Sequence, residues 1–121
     1  MSLIHYKTTE EIEQIRKSNL LVSKTHAHLA EIIGPGITGK ELDRRAETFI
    51  GDHGGRPAFK GFGGFPASLC ISINEQVVHG IPSDYEFKED DVISIDCGVE
   101  LNGFYGDSAY TYVMPNAPSA A

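Results

Sequence analysis

The chain has 121 residues, a length that fits one domain. Its net charge of −7 argues against non-specific nucleic-acid binding and against attraction to an anionic membrane surface. No apolar run reaches the length of a membrane span, and the first residues lack the apolar core of a signal peptide. The two cysteines, Cys70 and Cys97, are too few for a disulfide framework. These features favour a reduced, cytoplasmic protein.

A long amphipathic helix is predicted near the start of the chain. Thr8 and Glu11 have the spacing of a capping box. Apolar residues then recur at alternating intervals of three and four, which is typical of one helix face. Residues 34–36, Gly-Pro-Gly, end the helix because proline removes a donor and glycine tolerates the capping conformation. The predicted face consists of Ile12, Ile15, Asn19, Val22, His26, Leu29 and Ile33.

A second, shorter helix follows. Thr38 and Glu41 predict another capping box, and glycines from position 51 onwards close the helix. His26 on the first helix and His53 after the second are interpreted as structural residues, because no other metal-binding side chain lies at ligand spacing from them.

The next segment, residues 56–66, is rich in glycine and aromatic residues. It lacks the Lys-Ser/Thr pair of a phosphate-binding loop. Phe59, Phe62 and Phe65 can either line an apolar pocket or fill the core, and the spacing leaves both interpretations open.

Alternation of apolar and polar side chains predicts a strand over residues 68–73 and a short returning strand over residues 77–82. His79 would lie at the end of the returning strand, where a side chain can reach a cleft. On spacing alone, a structural role for His79 is favoured.

A β-hairpin is the strongest prediction from the sequence. Asn102-Gly103 between two apolar-rich runs is typical of a two-residue type I′ turn, which pairs Leu101 with Phe104. This register makes Asp96 and Asp107 diagonal neighbours on one face, about 7–8 Å apart at the backbone. Two carboxylates so placed repel each other unless a cation lies between them. The alternative is a surface hairpin with two solvated acids.

The opposite face of the hairpin carries mainly apolar and aromatic side chains, which suits a core. A shift of one residue in the pairing would move one carboxylate to that apolar face, at a cost of several kcal/mol. Small neighbours such as Gly98, Gly106 and Ala109 leave room around the acids. The order helix, helix, strands predicts an α+β fold with an antiparallel sheet.

Three segments together resemble the type I methionine aminopeptidases. They are Val78-His79-Gly80-Ile81-Pro82, Ser94-Ile95-Asp96-Cys97-Gly98-Val99, and Asn102-Gly103-Phe104-Tyr105-Gly106-Asp107-Ser108. The likeness extends from Thr8 to Val113. It implies half of a pita-bread fold, with two helices packed on an antiparallel sheet. It also implies hydrolytic removal of the initiator methionine from nascent polypeptides by a dinuclear metal site.

By position, the resemblance implies that Asp96 and Asp107 ligate metal, one chelating a single ion and the other bridging two. His79 matches the histidine that hydrogen-bonds the substrate near the scissile amide. Four residues match positions around the methionine side-chain pocket: Phe59, Phe62, Phe65 and Cys70. The implied cofactors are two divalent ions of Co, Mn, Fe or Zn. The implied partners are nascent polypeptide N-termini and the ribosome.

The family fold is longer than this chain. Its second half supplies a histidine and two glutamates as further ligands, and the glutamate that acts as general base. We therefore expect residues 1–121 to be the N-terminal half of a catalytic domain, to hold metal weakly, and to be inactive alone. Two alternatives remain open: a non-catalytic or self-associating half-fold, and another pita-bread peptidase such as aminopeptidase P or prolidase.

Overall fold

The computed structural model describes residues 8–61, 64–74 and 80–115. In these ranges the elements are α1 Thr9–Ile32, α2 Gly39–Asp52, β1 Arg56–Pro57, β2 Leu69–Ile73, β3 Val92–Leu101 and β4 Phe104–Val113. Neither described helix combines the length and the hydropathy that a membrane crossing needs. Two helices on an antiparallel sheet confirm the predicted α+β architecture.

All strand pairs in the sheet are antiparallel, and β3 is its central strand. β4 pairs with β3 along the whole of β3. β2 pairs with residues 93–97 of β3, and β1 pairs with Val99 and Glu100. Because β4 takes one edge of β3 completely, β1 and β2 share the other edge. Within the described residues, β4 is therefore an edge strand.

The core lies between this sheet and the two helices. α1 packs on β3 and β4, and α2 packs on α1, β1 and β2. Side chains such as Leu29, Leu42, Ile50, Ile93 and Ile95 are completely buried there. Burial of this apolar surface is the main force that holds the helices on the sheet.

The caps of the two helices differ from each other. Thr8 and Glu11 form the predicted reciprocal capping box of α1. Thr38 caps α2 by accepting from the Glu41 N–H at 3.1 Å. The Glu41 carboxylate, however, binds the Arg44 guanidinium. The second capping box was therefore only half right, because an exposed arginine one turn later competes for the carboxylate.

The buried face of α1 is shifted from the prediction. It consists of Ser18, Leu21, Val22, Thr25, His26 and Leu29, whereas Ile12 is 56% exposed. The side chain of Gln14 contacts Asn102 at the hairpin turn. Residues before Gln14 therefore extend past the end of the hairpin, which explains the exposure of Ile12.

β2 confirms the strand predicted over residues 68–73. The predicted strand over residues 77–82 is not supported where it can be checked: residues 80–82 have no strand structure, and residues 77–79 lie outside the described residues. The Gly80 carbonyl nevertheless accepts from the Ile71 N–H at 2.7 Å. β1 was missed, because only two residues pair in a segment rich in glycine and aromatic residues.

Asp91 fixes the connection that leads into β3. It is 2% exposed, and its carboxylate accepts from the Lys88 N–H, the Tyr85 hydroxyl and the Asn74 amide at 2.7, 2.8 and 3.0 Å. Burial opposes the charge, but these bonds and the charge of Lys88 together lower the pKa of Asp91.

Candidate functional site

The β3–β4 hairpin has the predicted register. Asn102 and Gly103 have φ values of 54° and 83°, as a type I′ turn requires. Leu101 pairs with Phe104, Gly98 with Asp107, and Asp96 with Ala109. Asp96 and Asp107 therefore occupy the same face as diagonal neighbours.

This face of the sheet is directed away from the core. On β3, the residues of the other face, Ile93, Ile95, Cys97 and Val99, are completely buried. Asp96 is half-buried and Asp107 is exposed. The two carboxylates thus lie outside the apolar interior, where a ligand can reach them.

Repulsion between the two acids is visible in their electrostatics. Burial raises the pKa of Asp96, the charge of Asp107 raises it further, and His26 lowers it. Within residues 8–61, 64–74 and 80–115, neither carboxylate makes a hydrogen bond or an ion pair. A third acid of this face, Glu100, is neutralised by an ion pair with Arg56. The pair Asp96 and Asp107 therefore lacks a directly ion-paired cation among the described residues.

An apolar groove lies beside Asp107. Its volume is about 320 Å³, and it is lined by Ala58, Phe59, Tyr105, Gly106 and Asp107. The Phe59 ring lies against the backbone of Gly98, where an added Cβ would be 2.9 Å from a ring carbon. Phe59 was one of the predicted pocket residues, and the structure brings it to the acid face.

Cys70 lies on the other side of the acid pair. It is directly opposite Asp96 in the β2–β3 ladder, so the two side chains share a face. Burial and the charge of Asp96 raise the pKa of the Cys70 thiol. The structure therefore places Cys70 beside Asp96.

Of the remaining predicted site residues, only Phe65 lies in the described part of the chain. Phe65 is half-buried but does not line the groove. Phe62 and His79 lie outside the described residues. Tyr105 also lines the groove, although no role was predicted for it from the sequence. The alternation of side chains could have identified Tyr105, because it lies two residues from Asp107 and therefore on the same face of β4.

The donors fit a divalent cation only in part. Carboxylate oxygens suit hard and borderline divalent ions. Asp96 and Asp107 offer such oxygens without a competing partner in the described ranges. In that part of the chain, however, no group of three or more His, Cys, Asp and Glu side chains is arranged to hold a metal. A complete coordination shell needs further donors.

A comparison with protein-family models decides the family. Residues 13–121 match the model of metallopeptidase family M24. The chain belongs to this family. Divalent-metal chemistry is therefore expected of this family.

Relatives in the M24 family share both sequence and fold with the chain. It is 51% identical over 119 residues to a methionine aminopeptidase of Clostridium perfringens, covering 98% of this chain and 48% of that protein. It is 48% identical over 114 residues to methionine aminopeptidase 1 of Bacillus subtilis, covering 94% of this chain and 46% of the relative. The chain thus spans about half the length of the curated relatives that it matches.

Solved structures give the same result. A methionine aminopeptidase from Rickettsia prowazekii superposes with a TM-score of 0.91 at 33% identity, over 96% of this chain and 47% of that chain. A prolidase from Pyrococcus furiosus superposes with a TM-score of 0.80 at 27% identity, over 93% of this chain and 32% of the prolidase chain. The fold of the M24 chain is therefore half of the pita-bread fold.

α1 determines which face of β4 is outward in this M24 chain. The Ser18 hydroxyl donates to the Phe104 carbonyl at 2.8 Å, and a ring nitrogen of His26 lies 3.0 Å from the Ser108 carbonyl. Between them, Gly106 contacts the backbone of α1. These contacts join the even-numbered residues of β4 to the helix and leave Asp107 on the opposite face.

Proposed function

We propose that this chain forms the N-terminal half of a methionine aminopeptidase catalytic domain, which hydrolytically removes the N-terminal methionine from nascent polypeptides in the cytoplasm. The observation that carries the proposal is the placement of Asp96 and Asp107, without hydrogen-bond or ion-pair partners among the described residues, beside the Phe59 groove. The high identity to methionine aminopeptidases supports it.

The proposed roles follow from this placement. Asp96 and Asp107 would hold two divalent ions of Co, Mn, Fe or Zn through their carboxylate oxygens. Such ions, when bound, supply Lewis-acid polarisation of the scissile carbonyl. His79 would hydrogen-bond the substrate near that amide.

The substrate side chain is proposed to bind next to Asp107. The Phe59 ring and Tyr105 give the groove an apolar wall, which suits an unbranched thioether such as methionine. The family resemblance also assigns Cys70, Phe62 and Phe65 to this pocket, although Phe65 does not line the groove in the described structure. An N-terminal residue bound there would place its peptide bond beside the carboxylates, because Asp107 itself lines the groove.

Residues 1–121 alone are proposed to be inactive. Two carboxylates supply only part of the shell of a dinuclear site. The missing histidine, glutamates and general base are assigned to the part of the relatives that this chain does not cover. The chain should therefore bind metal weakly and turn over peptide only when that part is supplied.

The test joins this chain to the uncovered part of the Clostridium perfringens relative. The chimera, with Mn²⁺ or Co²⁺, is assayed for methionine release from a Met-Gly peptide. We expect turnover by the chimera, none by residues 1–121, and a loss of at least about a hundredfold in Asp96→Asn and Asp107→Asn. Asp90→Asn, an exposed acid in the turn before β3, is the matched control and should retain turnover.

Three outcomes would contradict the proposal. They are turnover by residues 1–121 alone, full activity of the Asp96→Asn and Asp107→Asn chimeras, and cleavage of Xaa-Pro peptides in preference to Met-Gly peptides. The last outcome would favour a prolidase-like activity, which the shared fold also accommodates.

A self-associating half-fold is a second candidate. β4 is an edge strand in the described part of the chain, and it exposes Tyr105, Tyr110 and Val113 by 62%, 48% and 49%. Strand edges with exposed apolar side chains are prone to pair with another chain. Sedimentation of the isolated chain tests this candidate. A chain that stays monomeric over the whole concentration range would exclude self-association.

A further inference from the structure

His26 connects α1 to β4 directly behind the acid pair. The residue is 3% exposed. Its Nε2 lies 3.0 Å from the Ser108 carbonyl oxygen, and its Nδ1 lies 2.8 Å from the Tyr112 hydroxyl. The ring of Tyr110 packs against the imidazole with a centroid distance of 4.5 Å. One side chain of the helix therefore contacts three positions of the strand.

The hydrogen-bond chemistry of this contact assigns the ring protons. A carbonyl oxygen only accepts, so Nε2 must carry hydrogen and donate to Ser108. The Tyr112 hydroxyl has one proton, which it can donate either to Nδ1 or to the His26 carbonyl at 3.0 Å. Both ring nitrogens therefore have partners on β4, which makes the contact directional.

The point of attachment is adjacent to both proposed ligands. Ser108 follows Asp107 in β4 and pairs with Cys97, which follows Asp96 in β3. Because neighbouring residues of a strand face opposite ways, a bond that fixes Ser108 from behind also fixes the direction of Asp107 in front. The two carboxylates repel each other, and β4 has no further strand beyond it among the described residues. The contact opposes an outward movement of β4.

We propose that His26 is a positioning residue, which holds β4 at the distance from β3 that lets Asp96 and Asp107 bind divalent cations together. This inference rests on the proposed function. His26 does not touch the carboxylates, and its effect passes through the Ser108 carbonyl. An apolar side chain at position 26 would fill the space but would leave this carbonyl without its donor from α1.

Thr25 provides the matched control. It is completely buried next to His26, but its hydroxyl donates to the Leu21 carbonyl at 2.8 Å, within the same helix. Thr25→Ala therefore removes a buried hydrogen bond and buried volume from α1 without breaking a link to β4. If the role of His26 were purely structural, His26→Ala and Thr25→Ala would change cation binding to the same extent.

The experiment measures Mn²⁺ binding by the whole 121-residue chain through paramagnetic broadening of backbone amide NMR signals. This readout detects weak, local binding and does not depend on catalysis. In the parent chain, we expect broadening centred on Asp96 and Asp107. His26→Ala should need about tenfold more Mn²⁺ for half-maximal broadening. Thr25→Ala should match the parent, and His26→Gln, whose amide can donate to Ser108, should recover most of the affinity.

The possible results distinguish a failure of the proposed metal pair from a failure of the proposed role of His26. If the parent chain shows no broadening at the hairpin, the proposed metal pair is wrong and the role of His26 falls with it. If the parent binds and His26→Ala binds equally well, only the role of His26 is wrong. An equal loss in Thr25→Ala, or no recovery in His26→Gln, also contradicts it. If His26→Ala does not fold, His26→Leu replaces it, because leucine fills the space but offers no donor to Ser108; Mn²⁺ binding unchanged from the parent in that variant overturns the inference.

Discussion

Gly106 of β4 touches the backbone of α1 at Asn19. A Cβ atom at position 106 would lie 2.8 Å from the Asn19 backbone nitrogen and 2.6 Å from its Oδ1. Carbon atoms do not approach so closely without a shift of the neighbour, and here the neighbour includes helix backbone. The helix and the strand that carries Asp107 can therefore meet only if residue 106 lacks a side chain.

Gly106→Ala is expected to lower the free energy of unfolding by about 2–3 kcal/mol, because overpacking must separate α1 from β4. Urea unfolding followed by circular dichroism measures this change. The control is Gly51→Ala in α2, where an added Cβ meets no atom within 4 Å. That substitution should raise stability by about 0.5 kcal/mol through helix propensity. Equal stability of Gly106→Ala and the parent would contradict the close approach.

Asp107→Asn is expected to stabilise the metal-free chain, by about 0.5 kcal/mol, because it removes the repulsion with Asp96. Urea unfolding in the presence of a chelator measures the gain. The gain should shrink at high salt, since screening weakens the repulsion in the parent. Asp90→Asn changes the net charge equally and should show a smaller gain. Destabilisation by Asp107→Asn would mean that the carboxylate has a stabilising partner.

Protonation of Asp91 at low pH is expected to remove its stabilising contribution to the fold. Its pKa is lowered in the folded state, so the unfolded chain takes up this proton first as the pH falls. The stabilisation is complete well above the ordinary carboxyl value of about 3.9 and is lost as the pH falls through the lower folded value.

The corresponding variant is Asp91→Asn. It should cost about 2–3 kcal/mol at pH 7, because a charged acceptor of three hydrogen bonds is lost. The difference from the parent should narrow towards pH 3. Urea unfolding at pH 7, 5, 4 and 3 checks both statements, with Asp90→Asn as the exposed neighbour for comparison. A constant difference across this series would refute the assigned origin of the pKa shift.

The two thiols are expected to react differently. Burial raises the pKa of Cys97 to about 12, so the folded chain should protect it from iodoacetamide at pH 8. Cys70 is half-buried, and the charge of Asp96 contributes to its raised pKa. Asp96→Asn should therefore accelerate Cys70 alkylation by at least about twofold. Mass spectrometry of timed samples measures both rates, and faster labelling of Cys97 than of Cys70 would disprove the assignment of burial.

The hairpin could be predicted from the sequence because its determinants are local. Asn102-Gly103 fixes the turn, and the alternation of side chains then fixes which residues share the face of Asp96. The family resemblance was likewise carried by short segments. Predictions of this kind need only residues that are close in the chain.

Other features could not be predicted, because they depend on contacts between distant segments. Ser18 and Thr25 are completely buried although they are polar, since each hydroxyl finds an acceptor. Apolar periodicity cannot identify such positions. The placement of Phe59 over Gly98 depends on the pairing of β1 with β3, which is only two residues long. For this reason, the sequence alone could not decide whether Phe59, Phe62 and Phe65 line a pocket or fill the core.

The two-residue turn also has a kinetic consequence. Asp96 and Asp107 are separated by only eleven positions in the chain, and the loop between their strands is as short as a hairpin allows. Hairpins form in about 1–10 μs, whereas contacts between distant segments require the closure of longer loops. The acids should therefore meet early during folding, before α1 docks. A cation present at that stage would relieve their repulsion and accelerate the folding of the chain.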